Sequence, residues 1–408
     1  MVAITPARPD ITVPEFCRNP SCPHHHPTTE SDSPVWYVRH GYHSTKAHGA
    51  VQRFRCTACG TTCSTQTFSI HYWTHRVVDI EHIEKMIGNC AGQRQIGRAI
   101  QASGRLVKNR CQRLARNYLA IYAEAACDHL IHESCAFDGF ESFVRSQYFP
   151  VNMNILIGSE TLAVYGVTGS VMRRKGRMTA AQKEFRAKID AHWKPKRGAL
   201  LSSCVRLFCA LTDRVDLGPR KHPWTLWTDE HQAYPRALNQ VPILREALDC
   251  GRMRHCTVSS RAARTGRNLL FPVNYIDREI RKDLADHVRE TVRFPREMNM
   301  AMQRLIIELG SHTFGKPIRI SGRCWTETEL THADAAGLTN SIRVRNLMER
   351  RYLYRHVHSH AVKRGCAGWI SDIWLERYQN PPVVDPVTGE QLRRRVPGSD
   401  WRAVHLRV

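Results

Sequence analysis

P-W-T-L-W-T-D-E-H-Q-A-Y, residues 223–234, decides the fold. Trp224 to Trp227 is a short apolar run, which reads as a buried strand. An acid follows almost at once, so Asp229 sits at the C-terminal end of that strand. Ligand sites in sheet proteins gather at such ends.

Upstream, C-A-F-D-G-F (135–140), N-M-N-I-L-I-G (152–158) and L-A-V-Y-G-V (162–167) also read as strands. Alternation places Ala136, Asp138 and Phe140 on one face. A carboxylate among apolar neighbours is costly unless a cation accompanies it. Asp138 and Asp229, at neighbouring strand ends, would together hold a divalent Mg²⁺ or Mn²⁺ ion. The bland alternative for each is a capping or salt-bridged acid.

A third ligand is expected from a helix crossing those strands, placed at about 273–293. With Val273 as the origin and about 100° per residue, Ile276, Ile280, Leu284, His287 and Thr291 share its face. Asp277, at about 40°, is the one acid on that face. Glu279, Asp283, Asp286 and Glu290 lie outside it and are expected to be solvated and ion-paired along the helix. Asn274, at about 100°, borders the same face and is a second candidate ligand. The competing role for Asp277 is a buried salt bridge to Arg281. Leu200 to Leu211 reads as a buried helix, 297–310 as another, and 172–198 as a basic insertion around a helix.

The N-terminal region carries its own signal. Cys17 and Cys22 form one pair and Cys56 and Cys59 another, the layout of a zinc ribbon. Cys63 and His24, His25 and His26 are spare ligands. Val35 to Val38 and Val51 to Cys56 read as short strands, with turns at Gly41 and Gly49. The alternative is unpaired buried thiols. Next, residues 93–116 suggest two helices joined by a turn at Ala102, Ser103 and Gly104, with Ser103 as N-cap. Leu106, Val107, Cys111 and Leu114 give the second helix an apolar stripe. Arg98, Arg105, Lys108, Arg110 and Arg113 are then candidates for DNA contacts, on a helix suited to the major groove. An amphipathic pair with a solvated basic face is the simpler alternative.

The 408 residues carry a net charge of +23, which points to a polyanionic partner. No stretch approaches the roughly 20 apolar residues of a spanning helix, which argues against a membrane. The N-terminus lacks the apolar core of a signal peptide. Fifteen cysteines then suggest thiols and metal ligands in a reducing cytoplasm rather than a disulfide framework. The organisation expected is a ribbon at 1–72, a helix-turn-helix unit at 73–128, a catalytic unit at 129–320 and a basic C-terminal region at 321–408, loosely ordered after about 375.

In this order, Q-R-F-R-C-T-A-C-G, T-D-E-H-Q-A-Y, N-Y-I-D-R-E-I-R and H-V-R-E-T-V-R-F-P-R resemble bacterial insertion-sequence transposases of the DDE type. The resemblance covers about residues 50–320. It implies an α/β fold: an RNase H-like mixed sheet with flanking helices, preceded by a zinc ribbon and an all-α helix-turn-helix domain. It also implies Zn²⁺ in the ribbon and two Mg²⁺ ions at Asp138, Asp229 and a third ligand. Its substrate would be double-stranded DNA, as terminal inverted repeats and target, held in a homo-oligomeric synaptic complex in the bacterial cytoplasm at the nucleoid. His231 and Arg281 would position phosphates. Such families carry glutamate at the third position; registering the helix on R-E-T-V-R-F puts Asn274 there, so Asp277 and Asn274 both stand. A regulator derived from a transposase, a stand-alone RNase H-like nuclease and a basic RNA-associated protein are the rival readings.

Overall fold

The computed structural model describes residues 16–19, 21–25, 35–67, 69–127, 129–218, 222–287, 293–318, 330–340, 368–385 and 387–392. At the N-terminal end, β1 (Tyr37–Thr45), β2 (Gly49–Cys56) and β3 (Thr62–Ser64) form an antiparallel sheet in that order. The first hairpin turns at Gly49, whose φ of 63° suits glycine. Gly41 marks no turn. It lies inside β1, where the register slips between Arg39 and Tyr42, so β1 outruns the expected Val35–Val38.

Three helices follow. α1 (Ile80–Gly88) starts at Asp79, whose Oδ1 accepts from His82 N at 2.9 Å, and buries Ile80, Ile83 and Ile87. α2 is Gln93–Ala99 and α3 is Gly104–Cys127. Ser103 Oγ accepts from Leu106 N at 3.3 Å, so the expected cap forms. Gly97 is small for a local reason: a Cβ there would come within 2.7 Å of the Ala102 carbonyl in the turn.

The main sheet has β4 (Cys135–Val144), β5 (Ser146–Gly158), β6 (Val164–Val171), β7 (Trp224–Thr228) and β8 (Met253–Thr257) in the order β6-β5-β4-β7-β8. β4, β5 and β6 are antiparallel, whereas β7 and β8 run parallel to β4. Between strands lie α4 (Ala180–His192), α5 (Ala199–Cys209), α6 (Ala233–Asn239) and α7 (Pro242–Asp249). α8 (Phe271–Asp283) and α9 (Met298–Gly315) complete the layer opposite α5. Phe137 meets Phe208 of α5 on one face, while α8 packs on β4 and β5 from the other. The molecule is therefore mixed α/β, with helices on both faces of a five-stranded sheet.

The helical unit and the sheet share one core. Tyr118 of α3 lies against Gly310 of α9, where a Cβ would clash with its ring. Tyr122 donates to Thr313 Oγ1 at 3.1 Å, buried. The described residues after 375 pack on the rest of the chain, where a loosely ordered tail is expected. After α10 (His332–Ala335) and α11 (Gly368–Trp374), Asn380 Oδ1 accepts from Met298 N at 2.6 Å and Pro381 O from Arg145 Nε at 2.8 Å. Short β9 (Val383–Val384) and β10 (Gln391–Leu392) then pair antiparallel. Among the described residues no helix is long and apolar enough to cross a membrane.

Candidate functional site

Two sites emerge. The first is the cysteine quartet. The sulfurs of Cys17, Cys22, Cys56 and Cys59 all lie within 4.8 Å of one another. Cys17 and Cys59 are 3.5 Å apart, Cys22 and Cys56 3.6 Å. A zinc tetrahedron with sulfur ligands at about 2.3 Å has edges of about 3.8 Å, so this cage fits the ion. Asn19 N points at Cys17 Sγ at 3.4 Å, and Gly60 N closes the second turn on Cys56 O at 3.1 Å. Burial and neighbouring sulfurs push the Cys17 and Cys22 thiols up, a cost that a cation between them would reverse. Two of the spare ligands, His25 and Cys63, lie outside the quartet. His25 Nδ1 donates to Cys17 O at 2.8 Å, supporting the cage from behind, while His26 lies outside the described residues. Cys63 is buried apart from the quartet, its thiol pushed up to about 11 by burial.

The second site is acidic. β4 and β7 pair as Cys135↔Leu226, Ala136↔Trp227 and Phe137↔Thr228. Asp138 and Asp229 each come one residue beyond the last pair, so Asp229, just past the end of β7, stands beside Asp138, which lies within β4 and not at a strand end as expected. Asp138 Oδ1 accepts from Gly139 N at 2.7 Å and from the Tyr234 hydroxyl at 3.0 Å. Burial, then the charge of Asp229, pushes the Asp138 carboxyl up to about 6. Asp229 Oδ1 accepts from His231 N at 2.8 Å. His231 is exposed, and its Nδ1 accepts from Ala233 N at 3.1 Å, which assigns the ring N–H to Nε2.

α8 brings the third acid. Val273, Ile276, Ile280, Leu284 and His287 are all buried, as the spacing predicts. Asp277 is half-buried on that face and makes no hydrogen bond or ion pair among the described residues. Burial, then Asp138, pushes it up to about 7 against the pull of Arg281 and Arg264. The Arg281 salt bridge does not form, because that guanidinium stacks on Phe140 at 4.5 Å. Asn274 is half-buried one turn before Asp277. Among the described residues only the cysteines bring three or more ligand atoms within 4.8 Å of one another, so Asp138, Asp229 and Asp277 do not all come that close together.

Two expectations for α8 need correction. The helix stops at Asp283, not near 293, because Cys90 takes over its last carbonyls: Cys90 N donates to Asp283 O at 3.0 Å and its thiol to Lys282 O at 2.8 Å. Residues 288–292, with Glu290 and Thr291, lie outside the described residues. Glu279 is buried rather than solvated. Lys316 and Lys282 contact its carboxylate and outweigh burial, holding it down to about 2.

The basic residues divide. Arg98 and Arg105 are exposed beside the helix-turn-helix turn. Lys108 is half-buried and paired with Glu297 at 3.1 Å. Arg110 is buried, not on the surface as its pattern predicts: its Nη2 donates to Arg76 O at 2.8 Å. Arg113 Nη1 donates to Ile70 O at 2.9 Å and Tyr72 O at 2.6 Å. These two arginines brace the segment entering the helical unit, and a helical wheel cannot show such partners. Sequence reading also missed Tyr234 and Arg264. Tyr234 stood within the opening motif. Arg264 lies in the exposed R-A-A-R-T-G-R run (261–267), whose charge spacing was the available signal. No protein-family model matches the chain, and no curated protein matches it.

Proposed function

We propose that the chain is a DDE-type DNA transposase, with an RNase H-like catalytic unit that cleaves DNA ends and joins them to a target. The observation that carries this reading is the register of Asp138 and Asp229 past Phe137↔Thr228, with Asp277 carried over them by α8. The antiparallel β4–β6 and parallel β7–β8 arrangement with helices on both faces is consistent with it. The cysteine cage, the adjoining helix-turn-helix and the +23 charge supply a DNA-binding front end.

Asp138, Asp229 and Asp277 would hold Mg²⁺, which supplies Lewis-acid stabilisation at a phosphodiester and a more acidic bound water. The chain's own residues do the rest. The Tyr234 hydroxyl fixes one oxygen of Asp138, leaving the other for a ligand. His231 N–H fixes Asp229 in the same way. The exposed His231 offers an Nε2–H, and the exposed Arg264 adds a cation near Asp277; both suit contacts to DNA phosphates. Asp277 has no protein partner to surrender on ion binding, which favours it over Asn274 as third ligand.

The test is nicking and joining of a duplex carrying the terminal repeats that flank the gene, with and without Mg²⁺. Asp138→Ala and Asp229→Ala should each lose activity by several orders of magnitude while still binding DNA. Normal activity in either variant sinks the assignment. Cutting without joining would mark a stand-alone nuclease, and binding without cutting a regulator.

A further inference from the structure

A cleft of about 430 Å³ opens between the face of the ribbon sheet and Gln66, Thr67, Tyr72, Trp73, Thr74 and His75. Its size falls in the range of about 300–1,000 Å³ typical of small-ligand sites. Arg18, Lys46 and Arg53 line it, and no lining residue is acidic. Trp73 stands at the rim with 77% of its surface exposed, more than any other large apolar residue among those described. Its φ of 58° is unusual for a bulky side chain and costs of order 1–3 kcal/mol.

The loop is held in this pose from both sides. Arg113 grips Ile70 O and Tyr72 O. Arg110 holds Arg76 O, and Arg76 in turn donates to Gln101 O at 2.9 Å. Thr74 Oγ1 meets His48 Nε2 at 3.4 Å across the cleft. A strained, braced and exposed indole above a cationic cleft has the composition of a base-stacking platform, where aromatic faces take bases and cations track phosphates.

We infer that this cleft captures a single unstacked nucleotide of DNA, its base on Trp73 and its phosphates on Arg18, Lys46 and Arg53. The inference rests on the DNA-binding part of the proposed function and names a second substrate contact, on the ribbon side and away from the acids. It explains why Arg110 and Arg113 are spent on backbone carbonyls: they hold the stacking loop in place.

The test uses the full-length zinc-loaded protein without Mg²⁺, with two probes. One is a duplex with a short single-stranded overhang carrying 2-aminopurine; the other is the same duplex closed by hairpins at both ends. Wild type should favour the overhang and quench its fluorescence. Trp73→Ala should lose about 5- to 100-fold in overhang affinity, and the quench, with closed-duplex affinity unchanged. Trp73→Phe should recover most of both. Retained zinc and an unchanged melting temperature certify folding. Equal overhang binding by Trp73→Ala, an equal loss on both probes, or no overhang preference in wild type overturns the inference. Nicking is read separately: a protein that binds overhangs through Trp73 yet never nicks with Mg²⁺ keeps this inference and sinks the transposase reading.

Discussion

Replacing Asp277 by asparagine should stabilise the protein at pH 8 and leave it unchanged near pH 4. The Asp277 carboxyl rises from its ordinary 3.8 to about 7 in the fold, through burial and then Asp138. A raised carboxyl contributes stability that is fully present below its unfolded pKa and lost as pH climbs through the folded one. At about 1.36 kcal/mol per pKa unit, holding Asp277 ionised at pH 8 costs about 4 kcal/mol at most. Water at its exposed edge and relaxation of the helix bring that to about 2 kcal/mol. Asparagine keeps the shape and carries no charge. Thermal melts in buffer without divalent cations should place Asp277→Asn about 2–3 °C above wild type at pH 8, and level with it at pH 4. Millimolar Mg²⁺ should then reverse the ranking. A ligand at about 100 times its Kd contributes about 2.7 kcal/mol, and the variant has lost one of its ligands. If the two proteins melt together at pH 8, or Mg²⁺ raises both equally, Asp277 is neither strained nor a ligand, and Asn274 becomes the better third position.

Cys56→Ser should cut bound zinc from one equivalent per chain to well below one by metal analysis, because three sulfurs no longer close the cage. Arg105→Ala should lower the slope of log affinity for DNA against log salt by about one, as loss of one phosphate contact does. Arg110→Ala should leave that slope unchanged and instead destabilise the fold by about 1–3 kcal/mol in urea, since its buried guanidinium satisfies Arg76 O. Gly97→Ala should cost about 1–3 kcal/mol in the same measurement, because the new methyl meets the Ala102 carbonyl at 2.7 Å.

What could be read from the sequence was what a local period encodes. Val273, Ile276, Ile280 and Leu284 recur at helical spacing, so the buried face of α8 and the place of Asp277 on it were legible. Asp138 and Asp229 stood out because each interrupts or ends an apolar run. β8 escaped, since M-R-H-C-T is an edge strand paired only with β7 and keeps polar residues in solvent. β1 escaped in part for a related reason, being exposed along most of its length. Glu279 and Arg110 were misplaced because their partners, Lys316 and Arg76 O, lie on other elements. The end of α8 was misplaced for the same kind of reason: its stop signal is Cys90, on the chain between α1 and α2.

On the proposed function, that last contact would link DNA binding to chemistry. The C-terminal end of α8 is tied to the helical unit through Cys90, and the tie is reinforced nearby. Arg293 Nη1 donates to Cys90 O at 2.9 Å, Arg304 pairs with Asp286 at 2.9 Å and reaches Ala91 O at 3.3 Å. Lys108 at the start of α3 pairs with Glu297, the residue capping α9. The helix that carries Asp277 thus packs on the sheet and is tied at its C-terminal end to the α1–α2 turn. α8 therefore links these contacts to Asp277. The third acid therefore belongs to both units: the sheet sets its face, and the helix-turn-helix unit sets where its helix ends.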